Sequence, residues 1–149
     1  MANSQGISGA AKQAALSAIV DAKTLKAALY LASATTGPTN SAYTATGEVS
    51  GTNYTAGGVS VTNGNTAGLT STTAFWTPSA SFAWTTVTLS TAFDAVLIYN
   101  STRSNRAIWY HDYGSTQTWN AGFNTARNWG AQIIVIPQIA AATTPKPVR

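Results

Sequence analysis

The chain has 149 residues, enough for one domain with a genuine core, and it contains no cysteine, which excludes disulfides and thiolate metal sites. Only 8% of its residues are Asp, Glu, Lys or Arg, against roughly 25% in ordinary soluble domains, so its exterior must be hydroxyl and amide. A surface with so little charge repulsion suits a protein that lives in contact with other protein.

The net charge is +4, but Lys12, Lys23 and Lys26 lie near the N-terminus, and Lys146 and Arg149 fall in the last four residues. With no central basic stripe, no specific nucleic-acid site is expected. The opening MANSQGISGAAKQAALSAIV has no charged region leading into a long apolar run, so neither a secretion signal nor a membrane span is expected.

Met1 to Ile7 reads as an arm with nothing to hold it. Ser8 is placed to cap a helix from Gly9 to Ala22, with Ala11, Ala15, Leu16, Ile19 and Val20 on one face. From Thr24 to Ser33 the period changes to two: Leu25, Ala27, Leu29 and Leu31 alternate with Lys26, Ala28, Tyr30 and Ala32, which predicts a strand. TTGPTNS (35–41) and GTNYTAGG (51–58) read as loops, the second rich in the glycines that positive φ angles demand.

Val59 to Thr62 and Thr72 to Thr77 are expected strands, joined by a hairpin turn at Asn63-Gly64-Asn65. Phe82 to Ser90, Asp94 to Asn100 and Arg106 to Tyr113 follow as strands, and AQIIVIP (131–137) suits a strand covered on both sides. Gly114 to Gly130 is left as a long connection of the kind usually held by a partner, and TTPKPVR projects as a tail.

About seven or eight short strands with turn-rich spacers and one short N-terminal α-helix predict an all-β protein, an antiparallel β-sandwich. The expected organisation is an arm (1–7), a single sandwich domain that includes the helix (8–137), and a C-terminal tail (138–149).

The chain offers little reactive chemistry. Its one histidine, His111, precedes Asp112 on a predicted strand, where neighbours face opposite ways, so the two cannot form a base and its orienting carboxylate. The four acids are Asp21, Glu48, Asp94 and Asp112, read as strand-end and turn acceptors rather than as a hydrolytic pair. No His or acid cluster has metal-ligand spacing, and the glycines of 51–58 lack the Lys-Ser/Thr of a phosphate cradle. No catalytic residue, metal or cofactor is therefore expected, and the chain reads as a non-enzyme.

Aromatic residues crowd the second half, from Phe75 and Trp76 to Trp129, and most belong to a core. Trp119 and Trp129, in the long connection, are candidate interface anchors, with a carbohydrate platform as their second reading. Lys12, Lys146 and Arg149 are the candidate interface cations.

Two segments carry a resemblance. AYTATGEVSGTNYTAGG (42–58), preceded by LKAALY, and LIYNSTRSNRA (97–107) resemble a recurrent family of small virion structural proteins of tailed bacteriophages, in matching order and spacing across Leu25 to Gly114. The resemblance implies a non-enzymatic β-rich component of the particle, of capsid decoration or cement type. Its implied setting is the virion, on the capsid surface rather than the tail, as a homo-oligomer bound to the major capsid protein. It transfers no catalytic residue, and the N-terminal helix and C-terminal TTPKPVR lie outside its pattern. A carbohydrate-binding or receptor-binding module of a tail or head fibre, or a neck component, is the alternative.

Overall fold

The computed structural model describes residues 6–80, 82, 84 and 86–117. The described chain is antiparallel and all-β with one N-terminal helix, as the pattern predicts. Helix α1 (Gly9–Val20) opens at Ser8, whose hydroxyl accepts from the Ala11 N–H at 3.2 Å and so satisfies one of the helix's free donors. Among the described residues eight strands follow: β1 (Leu25–Leu31), β2 (Gly51–Thr52), β3 (Val59–Val61), β4 (Gly68–Thr70), β5 (Thr73–Phe75), β6 (Thr88–Leu89), β7 (Phe93–Asn100) and β8 (Arg106–Gln117).

β1, β3, β7 and β8 form one sheet in the order β3-β1-β7-β8, while β2 with β6 and β4 with β5 make two-stranded ribbons. Alternation along β1 and β7 divides the sheet's side chains between two cores. Leu25, Ala27, Leu29, Val96 and Ile98 meet Leu16 and Val20 of α1, together with Trp76, Phe82 and Trp84. Ala28, Tyr30, Ala95, Leu97 and Tyr99 form the second core, with Tyr43 and Tyr110 packed on it. The central strands are thus apolar on both faces, which explains their nearly continuous hydrophobic sequence. Among the described residues, the helix, the two ribbons and long loops cover them.

Several expected details are corrected. The inward face of α1 is Lys12, Leu16 and Val20, with Ala11 and Ala15 exposed, so the helix is rotated from the expected face. Asn63-Gly64 makes no hairpin: β3 pairs with β1, and the tight turn lies instead between Thr70 and Thr73, with Ser71 at φ 55°. The Asn63 side chain is used otherwise. Its amide donates to the carbonyls of Val20 and Lys23, and its oxygen accepts from the Trp76 indole N–H at 3.1 Å. In the expected strand over 82–90, only Thr88–Leu89 is a strand among the described residues. β8 runs four residues past Tyr113, absorbing the start of the expected connection. The remainder of that connection, AQIIVIP, the tail and the first five residues of the arm lie outside the described residues.

Candidate functional site

Tyrosines and one carboxylate organise the segment 42–58. The Glu48 carboxylate accepts from the hydroxyls of Tyr43 and Tyr54, each at 2.7 Å, and from the Gly57 N–H at 2.8 Å. Tyr54 in turn accepts from the Leu29 N–H of β1 at 3.0 Å, and Tyr30 donates to the Thr44 carbonyl at 2.6 Å. Burial, reinforced by the Glu48 charge, pushes the hydroxyls of Tyr30, Tyr43 and Tyr54 above the usual phenol range. They are donors to the loop and not acids.

The glycines have a matching reason. Gly58 lies at φ 73°, and a Cβ there would stand 1.8 Å from the Ala27 carbonyl oxygen, so only glycine lets the loop cross β1 this closely.

The second segment closes on the first. Tyr99 donates to the Gly57 carbonyl at 2.8 Å and stacks on Tyr43 with ring centroids 4.7 Å apart. The backbone joins too, with Tyr43 N–H donating to the Asn105 carbonyl at 2.8 Å and Ala107 N–H to that of Ser41 at 3.0 Å. Segments 42–58 and 97–107 are therefore one clasp over the second core.

β8 carries a further group of aromatic residues. On the side of the first core, His111 stands opposite Val96, with the Trp109 ring 5.5 Å and the Tyr113 ring 4.6 Å from its own. Asp112 stands opposite Ala95 and faces the other way, as strand alternation predicts, so His111 and Asp112 do not orient one another.

Between β8 and the loop over 34–40 runs a groove made of two adjoining cavities of about 330 Å³ each, which share Pro38 and Tyr110. Asn40, Ala107, Ile108 and Trp109 line one half. Asp94 and Asp112 line the other. Burial and the neighbouring Asp112 charge raise the Asp94 carboxyl above its ordinary value. Asp112 accepts from the Gly114 N–H at 2.7 Å. The Tyr110 hydroxyl is buried and has no hydrogen-bond partner among the described residues. These residues were legible only in part. Both acids and Tyr110 stand out as residue types, but their meeting depends on the bulge between Phe93 and Ala95, which composition does not reveal.

Of the expected interface residues, only Lys12 is described, and it is not at the surface. It is 4% exposed, and its ammonium donates to the Thr72 carbonyl at 3.0 Å, tying α1 to the turn between β4 and β5. Its stem fills the helix face that the Ala-rich pattern left open, so its role is internal. Trp119, Trp129, Lys146 and Arg149 lie outside the described residues. Among the described residues no group of three or more His, Asp or Glu side chains could hold a metal ion, and no helix is long and apolar enough to cross a membrane.

No protein-family model, no curated protein and no solved structure matches the chain.

Proposed function

We propose that the chain is a structural protein of a bacteriophage virion, a capsid decoration or cement protein that binds and stabilises the shell of major capsid protein as a homo-oligomer. The observation that carries this reading is the clasp between the two family-like segments, in which Tyr99 donates to Gly57 and stacks on Tyr43. The interlock supports the reading because segments that belong to one shared fold would be expected to pack on one another. The low charge of the chain supports the same reading, because many weak contacts repeated over a lattice hold a subunit by avidity. The proposal includes no catalytic step and no cofactor.

Copy number in purified particles tests it. A number comparable with that of the major capsid protein supports decoration, and a handful of copies per particle overturns it in favour of a neck or tail part. Glycan-array binding that is lost in Trp119→Ala or Trp129→Ala would instead favour the carbohydrate-binding module. Deletion of 1–7 or of 145–149 is expected to weaken incorporation into particles while the circular dichroism of the isolated protein is preserved.

A further inference from the structure

We infer that Asn63-Gly64 is a self-modification site: the fold holds it shut, and a chain that dwells unfolded deamidates there into a product that refolds less stably. The inference concerns the chain itself and does not depend on what it assembles with.

Asn63-Gly64 is the one Asn-Gly pair in the sequence. With no side chain on the second residue, the backbone nitrogen of such a pair reaches the asparagine side chain unhindered. The reaction is a cyclisation followed by hydrolysis. The Gly64 nitrogen gives up its proton to solvent and attacks Asn63 Cγ. The new C–N bond closes a succinimide ring, and the Cγ–Nδ2 bond breaks as Nδ2 leaves with a proton as ammonia. Water then opens the ring at either carbonyl to give aspartate or isoaspartate. Water is the co-reactant, and nothing is oxidised or reduced.

In the fold both reacting groups are engaged. Gly64 N–H donates to Ser79 Oγ at 2.7 Å, and that hydroxyl donates in turn to the Thr62 carbonyl at 3.1 Å, so it bridges the peptide units on either side of Asn63. The Asn63 side chain is pinned at both ends. Its Nδ2 donates to the Val20 and Lys23 carbonyls, and its Oδ1 accepts from the indole N–H of the buried Trp76. For the Gly64 nitrogen to reach Cγ these contacts have to break together, so the rate follows the population of the opened chain.

The product does not fit back. An ionised carboxylate only accepts, yet the partners of Nδ2 are two carbonyl oxygens. Aspartate therefore sets oxygen against oxygen at the last residue of α1 and at the link to β1, and leaves both carbonyls without this donor. Isoaspartate adds a carbon to the backbone between the two groups that share Ser79.

Peptide mass spectrometry on the full-length protein tests the inference, with samples held in mildly alkaline buffer and in the same buffer with denaturing urea. Conversion at Asn63 is expected to be at least about tenfold faster in urea. Ser79→Ala, which releases the Gly64 N–H, should raise the rate in native buffer at least about threefold. Equal rates with and without urea, or a native rate that Ser79→Ala leaves unchanged, overturn the protection.

The product is tested by returning the urea samples to buffer after increasing dwell times. The urea midpoint of the refolded protein should fall in step with conversion at Asn63. Gly64→Ala is the control, because its methyl group hinders the attack and meets only the Ser79 side chain. It should convert more slowly and keep its midpoint through the same dwell; an equal loss in this variant assigns the damage to other residues and overturns the inference. Asn63→Asp reproduces the aspartate product and should have a lower midpoint than the unaltered chain, and an equal or higher one also overturns it. Should Asn63→Asp not fold, the dwell series decides, with converted and unconverted chains separated by charge and their midpoints compared.

Discussion

Asn100, fully buried at the end of β7, donates its side-chain amide to the Ile19 carbonyl at 2.8 Å, across 81 positions of sequence. Its oxygen accepts from the Thr102 N–H at 3.0 Å and the Thr102 hydroxyl at 2.8 Å, so one amide fixes the last turn of α1 to the β7–β8 connection. Replacing Asn100 with Leu removes all three bonds and leaves an apolar side chain facing the Ile19 carbonyl. The expected loss of stability is about 2–3 kcal/mol, read as a lower urea midpoint with an unchanged slope. An unaltered midpoint contradicts the role given to the amide.

Glu48 gathers three donors, and charge-assisted bonds to carboxylate are the stronger kind. Glu48→Ala leaves two phenols and one backbone N–H without their acceptor and should lower stability by about 3 kcal/mol. Glu48→Gln keeps the shape but loses the charge and is expected to lie between the two. Equal stability for all three proteins would show that the clasp contributes nothing.

The same tyrosines predict alkaline sensitivity. Their ordinary value is 10.0, and folding raises it for Tyr30, Tyr43 and Tyr54, so the native state keeps phenolic protons that the unfolded chain releases. The stabilisation is complete below pH 10 and is lost as pH climbs beyond it, since the unfolded state then binds fewer protons. Tyrosinate absorbance and loss of the strand circular dichroism signal should therefore coincide for these residues. If all six tyrosines ionise near their ordinary value with the fold retained, the prediction fails.

Gly58 and Gly37 make a controlled pair. A Cβ at Gly58 meets the Ala27 backbone and sits at a positive φ, whereas at Gly37 nothing lies within 4 Å. Gly58→Ala should lose more than about 4 kcal/mol, in the range reserved for severe backbone conflicts. Gly37→Ala should shift stability by no more than about 1 kcal/mol. Comparable thermal midpoints for the two variants would contradict the close crossing of the loop over β1.

How far the sequence alone carries can be judged from particular residues. Ser8 and the period-two alternation of β1 are local signals, and each places its element to within a few residues. The Asn63-Gly64 turn failed because the Asn63 side chain is claimed by the helix end and by Trp76, partners far along the chain that no local rule sees. Lys12 misled for a related reason: a cation on a helix reads as solvated unless a carbonyl such as that of Thr72 waits beneath it. The groove was the least legible feature. It needs the β7–β8 register, with bulges at Phe93/Ala95 and Ile98/Tyr99, to bring Asp94, Tyr110 and Asp112 to one side of the 34–40 loop.

The strand order has a consequence for biosynthesis. β1 emerges early from the ribosome, yet one of its two neighbours in the sheet, β7, is made only after five further strands. At about 5–20 residues per second, a segment destined to be apolar on both faces waits several seconds for its partner. During that interval LKAALYL is a hydrophobic strand with its β7 edge open and only β3 beside its first residues, the kind of nascent segment that holding chaperones capture, so yield in a host should depend more on chaperone supply than on the stability of the finished fold.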